Sequence, residues 1–150
     1  PHAAIGADCL IGFPGETDAA FENTRSLIEE LPVSYLHVFP FSAREGTPAW
    51  KLPGKVPDAE IKKRCAVMRQ IGNRKKMRFF ESSGAKELEV LVEERRDPVS
   101  GMLRAMSANY IPVSMQGPDR WKNSLRSVEI LEVAGNAGNP EVIGKAIAII

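Results

Sequence analysis

The chain has 150 residues, 43% of them hydrophobic and 26% charged, with a formal net charge of +1 at pH 7. Those proportions belong to an ordinary soluble globular protein of one domain or two small ones, and they exclude disordered and fibrous classes. No apolar run approaches the ~18 residues of a membrane span, and no signal peptide is expected. Residues 4–11 form a continuous apolar run, which predicts a strand buried on both faces. The run stops at Gly12-Phe13-Pro14-Gly15, where the glycines supply positive φ or close approach and Pro14 stiffens the turn. Thr17 is placed to cap the following helix, and Asp18 complements its N-terminal dipole. Phe21, Leu27, Ile28 and Leu31 give that helix an apolar stripe, and Pro32 ends it. Residues 34–39 then read as a second strand, completing a βαβ unit. Freed N–H groups at the helix start can serve a ligand above the strand end, although a Gly-x-x-Gly turn is equally a plain connector.

Residues 40–50 are a long irregular stretch of the kind that carries function at strand ends. Arg44 stands out in it as either a surface cation or a ligand contact. His37 falls inside the apolar strand with no second ligand in register and reads as a core or rim histidine. Pro57 suits the first position of a helix spanning 58–82. Ile61, Cys65, Met68 and Ile71 make one face of it. Lys62, Lys63, Arg64, Arg69, Arg74, Lys75, Lys76 and Arg78 supply the rest, with no acid between Glu60 and Glu81. Residues 51–82 carry 10 basic and 3 acidic side chains, against 2 and 7 over 1–50 and 8 and 9 over 83–150. Like charges repel along such a helix, so it is either a solvated face or a docking surface for a polyanion.

From Gly84 the apolar period changes to two, with Leu88, Val90 and Val92 alternating with acids. Turn signals at Asp97-Pro98, Gly101, Ala108-Asn109, 116–119 and 135–140 separate further strands over 102–107, 110–115, 125–133 and 142–149. Five short strands in ~65 residues predict a small antiparallel barrel. The two cysteines, Cys9 and Cys65, both sit in apolar patterns and read as buried thiols, with neither zinc spacing nor a disulfide framework. The abrupt start at Pro1, a few residues before a strand, reads as a piece of a longer protein.

Taken in order, GFPGET (12–17), YLHVFPFSAREGTPA (35–49), VPDAEIKKR (56–64) and the small β domain resemble the radical S-adenosylmethionine methylthiotransferases. The resemblance implies an α/β fragment, the last βαβα of a partial TIM-like barrel over 1–82. A five-stranded, OB-like TRAM domain over 83–150 follows it. YLHVFPFS and the SAREGT loop look most like the subfamily that methylthiolates N6-threonylcarbamoyladenosine in tRNA, next to the anticodon. The isopentenyladenosine subfamily is the alternative. The branch acting on a ribosomal protein usually lacks an arginine at the position of Arg44 and is disfavoured.

By the same resemblance the complete enzyme is a cytoplasmic transferase that uses S-adenosylmethionine and two [4Fe–4S] clusters. The cluster cysteines are not in this chain, so two thiols cannot ligate such a cluster and the piece alone is expected to be inactive and to bind neither cofactor nor metal. Leu10, Ile11, Gly12, Glu16, Phe39, Phe41 and Arg44 are the implied cofactor-site residues. Lys62, Lys63, Arg74, Lys75, Lys76, Arg78, Arg104, Asn109, Tyr110, Trp121 and Lys122 are the implied tRNA contacts, combining cations with aromatics as unstacked bases require. Tyr110 can equally be barrel core, whereas Trp121 is expected to be exposed. Neither DNA nor a membrane is an expected partner, and self-association of the truncated barrel is. A non-catalytic RNA-binding module is the competing class. A purely structural domain explains neither the basic helix nor the loop around Arg44.

Overall fold

A parallel strand pair with two helices precedes a closed five-stranded barrel in the computed structural model, which describes residues 3–84, 86–136 and 139–147. The first strand, β1 (Gly6–Ile11), leads into α1 (Asp18–Glu30), whose start is fixed by Thr17 Oγ1 accepting from Ala20 N–H at 3.1 Å. The second strand, β2 (Tyr35–Pro40), lies parallel to β1, with Asp8 opposite His37 and Leu10 opposite Phe39. Helix α2 (Asp58–Glu81) follows a short 3-10 turn at Pro48–Lys51. Its expected apolar face is buried, with Ile61, Cys65, Met68 and Ile71 packing with Cys9, Ile11 and Ile28.

The expectation that the first strand is buried on both faces is corrected. Burial alternates along β1, with Cys9 and Ile11 inside while Leu10 is 53% exposed. The physical reason is that both helices contribute to the core on one side of the two-stranded sheet, and no described element covers the other.

The barrel runs β3 (Glu87–Arg96), β4 (Leu103–Ser107), β5 (Pro112–Met115), β6 (Leu125–Asn136) and β7 (Asn139–Ala146), in ring order β3-β4-β5-β7-β6. Inward positions at every second residue fill it: Val90, Val92, Leu103, Ala105, Val113, Met115, Val128, Ile130 and Val142. Antiparallel pairing throughout was too strict an expectation, since β5 and β7 pair parallel. A ring with an odd number of strands cannot alternate direction all the way round, so one neighbouring pair must match. Residues 148 and 149 of the expected last strand, and 137 and 138 of the expected turn, lie outside the described residues.

Contacts separate Ile5–Lys76 from a unit that begins at Met77 and holds the barrel. The last turn of α2 groups with the barrel because Phe79 and Phe80 pack against its core. No helix among the described residues is long and apolar enough to cross a membrane.

Candidate cofactor cleft and nucleic-acid surfaces

At the C-terminal end of β1 the backbone turns at Gly12, with φ of +87°. A Cβ there would fall 2.4 Å from Ile61 Cγ1, so both the conformation and the packing require glycine. Gly12 N–H donates to Glu16 Oε2 at 3.0 Å, and Glu16 Oε1 accepts from Arg64 Nη1 at 2.6 Å. Arg64 also reaches the Glu16 carbonyl at 3.0 Å and Asp18 Oδ1 at 2.5 Å. It is only 5% exposed, so a residue that reads as surface charge in the sequence is the buried clasp of this turn. Burial alone would lower the Arg64 pKa, but its hydrogen bonds to Glu16 and Asp18 outweigh that and raise it.

Beyond β2, Phe41 N–H donates to Ile11 O at 2.7 Å, and the Phe13 and Phe41 rings meet edge-on at 5.2 Å. A cleft of about 190 Å³ opens here over Gly12, Pro14, Phe41, Ser42, Ala43 and Ile61, with Lys55 and Asp58 at its lining. Drug-sized ligands occupy roughly 300–1,000 Å³, so this cleft can hold only one part of a nucleoside cofactor. The structure brings Gly12 and Phe41 together in the cleft and sets Leu10 and Phe39 on the open sheet face. Arg44 is exposed in the loop and does not line the cleft. The Ile11 side chain, at 1% exposure, points into the core, because alternation puts it on the helix-covered face.

The cations of α2 do not form one free stripe. Arg64 is buried, Arg74 pairs with Glu29 at 3.4 Å, and Lys75 Nζ donates to the carbonyls of Glu29 and Leu31 at the end of α1. Lys63 lies 3.8 Å from Glu60, and Arg69 donates to Val38 O at 3.3 Å. Lys62 and Arg78 are exposed, with no ion pair among the described residues.

On the barrel, Tyr110 occupies a turn with φ of +62° and is 70% exposed, while Ile111 beside it takes the core position. The core reading of Tyr110 is thereby removed. Asn109 Oδ1 accepts from Ser107 Oγ at 2.6 Å, and Arg104 lies 3.5 Å from Glu93. Trp121, expected to be exposed, is half-buried. It packs against the barrel core, the Arg126 guanidinium lies 5.5 Å from its ring centroid, and a Cβ on Gly117 would fall 2.3 Å from Cε3. Its ring is thus committed to the fold, and Lys122 pairs with Asp119 beside it at 3.0 Å.

No family model matches the chain. Among curated proteins it is 42% identical to the threonylcarbamoyladenosine tRNA methylthiotransferase of Rickettsia prowazekii over 77% of its own length. The corresponding protein of Aquifex aeolicus is 34% identical over 78%. The tRNA-2-methylthio-N(6)-dimethylallyladenosine synthase of Bacillus subtilis is 32% identical over 99%. The chain belongs to the radical S-adenosylmethionine methylthiotransferase family. It spans about a quarter of the length of these curated relatives, between 25% and 29%.

Within this chain the donor set does not fit an iron–sulfur cluster. Cys9 and Cys65 are both buried, and burial first, then the Asp8 charge for Cys9, pushes their thiols above the ordinary value. No group of three or more His, Cys, Asp or Glu among the described residues is placed to hold a metal ion. Sequence reasoning missed two arginines of the family member's framework, Arg64 and Arg126. A solvated side chain and a clasp carry the same residue letters, and only the partners tell them apart, Glu16 for Arg64 and the Trp121 ring for Arg126.

Proposed function

We propose that this chain is the C-terminal portion of a cytoplasmic tRNA methylthiotransferase that adds a methylthio group to C2 of N6-threonylcarbamoyladenosine. Its similarity to tRNA methylthiotransferases over 77–99% of its length is the observation that carries this reading. Residues 1–82 would be the end of the radical S-adenosylmethionine barrel and 83–150 the TRAM domain. The clusters and S-adenosylmethionine supply the radical chemistry in the complete enzyme, and the rest of that enzyme must bring the cluster thiolates. What these residues do is bind and orient. Gly12 and the Phe41 backbone edge the cleft, Leu10 and Phe39 offer apolar surface to a base, and Glu16 with Arg64 fixes the turn. Arg44, in the loop beyond, would reach a carboxylate or phosphate at the mouth of the site. Lys62, Arg78 and Tyr110 remain the candidates for gripping tRNA, helped by Lys63, Arg74, Lys75, Lys76, Arg104, Asn109 and Lys122 where their internal partners allow.

The dimethylallyl reading stands second because such a relative matches 99% of the chain, although at lower identity. Expression of the full-length parent in a host stripped of its own methylthiotransferases, followed by mass spectrometry of tRNA nucleosides, separates the two. We expect the methylthio derivative of threonylcarbamoyladenosine. The dimethylallyl derivative alone would overturn the substrate assignment, and neither product would overturn the proposed function.

A further inference from the structure

The face of the two-stranded sheet turned away from the helices carries an ordered polar column. The register sets Gly6 beside Tyr35, Asp8 beside His37 and Leu10 beside Phe39 on that face. The Tyr35 ring fills the space above Gly6, where a Cβ would fall 2.5 Å from Cε2. Tyr35 meets His37 edge-on at 5.4 Å, and His37 stacks on Phe39 at 6.5 Å. The imidazole is therefore held between two rings, with a carboxylate across the strand from it. The Asp8 and His37 side chains are both exposed, and neither makes a side-chain hydrogen bond or ion pair among the described residues. The core behind this sheet does not use them.

Leu10 and Phe39 adjoin the strand ends where the cleft opens, and Asp8 and His37 lie one strand period further down, about 6.6 Å away. That offset suits a purine near the strand ends with a substituent extending from it along the sheet. The two modified adenosines named by the relatives differ in just such a substituent. A threonylcarbamoyl group carries urea N–H groups, a hydroxyl and a carboxylate, while a dimethylallyl group is hydrocarbon and offers no hydrogen bond. We propose that the Asp8–Tyr35–His37 face reads a polar N6 substituent on the target adenosine. His37 donates to its carboxylate or hydroxyl, and Asp8 accepts from its N–H groups. This inference rests on the tRNA methylthiotransferase reading above and names the substrate class of that site.

The test uses the reconstituted full-length parent and two anticodon stem-loops, bearing N6-threonylcarbamoyladenosine or N6-dimethylallyladenosine, with product measured by mass spectrometry. His37→Phe should raise KM for the threonylcarbamoyl RNA about ten- to hundredfold, the size of one lost hydrogen bond to a polar substrate group, with kcat largely kept. His37→Gln retains a donor and should recover most of that loss, which a merely structural role would not predict. Gly6→Ala displaces the Tyr35 ring and should give a partial form of the same KM effect. A wild-type parent active on the threonylcarbamoyl RNA with an unchanged KM in His37→Phe overturns the inference and leaves the proposed function standing. A wild-type parent active on the dimethylallyl RNA alone overturns the substrate reading and the inference with it. Should His37→Phe fail to assemble, His37→Gln and Gly6→Ala decide, and wild-type KM in both overturns the inference.

Discussion

Arg64 shows how one residue can change meaning between sequence and structure. Its letter sits in a run of eight cations, yet its guanidinium is buried and joins the start of α1 to α2 through Glu16, Asp18 and Glu60. The Asp18 side chain is 96% exposed and adds little, so the shielded Glu16 contact decides the size of the effect. Arg64→Met should therefore destabilise the chain by about 3 kcal/mol, the low end for breaking a buried pair, because Glu16 is left without its counter-charge. A shifted midpoint in urea unfolding checks this, and an unchanged midpoint would reassign Arg64 to the surface. Arg44 is the converse case, an exposed arginine whose carbonyl accepts from Thr47 but whose side chain has no hydrogen bond or ion pair among the described residues. Arg44→Ala in the full-length parent should abolish tRNA methylthiolation while iron content stays normal, and Arg44→Lys should recover part of it because the planar fork is lost. Normal methylthio levels in the alanine variant would make Arg44 a bystander.

Elements were legible in proportion to how local their causes are. Thr17, Pro32 and Pro57 announced the helix limits because caps and prolines act within one turn. The barrel strands were legible from period two, but the parallel β5–β7 pair was not, since ring parity is a property of closure rather than of any strand. One-sided burial of β1 was hidden because apolar residues also occupy its open face. Helix α2 was read as a basic face, whereas its cations divide between internal partners and solvent. That division sharpens a test on the 150-residue chain itself. If about four cations reach phosphates, log K for tRNA should fall against log salt with a slope of roughly −3 to −4. Lys62→Glu with Arg78→Glu should flatten that slope by about two units, because neither side chain has an ion pair to lose among the described residues. Lys75→Glu would confound the reading by freeing the carbonyls of Glu29 and Leu31. Tyr110→Ala should instead weaken binding at every salt concentration, by ~1–3 kcal/mol if a base stacks there. A slope unmoved by the double reversal would remove α2 from the interface.

At the scale of the whole molecule the open face and unpaired edges of β1 and β2 dominate. Leu10 and Phe39 are 53% and 50% exposed on that face, an apolar surface that no described element covers. Such a sheet invites pairing with another copy. The isolated chain should therefore self-associate in a concentration-dependent way by light scattering, and Leu10→Lys should weaken that association. A strict monomer at high concentration would mean that the face is satisfied in solution. On the reading proposed above the same face would meet substrate in the complete enzyme, which links the two scales. The most direct measurement compares the reconstituted full-length parent with this 150-residue chain on a stem-loop carrying N6-threonylcarbamoyladenosine, reading methylthio product and bound iron together. The prediction is product and iron with the parent, and neither with the chain alone. Product from the isolated chain, or none from an iron-loaded parent, would contradict it.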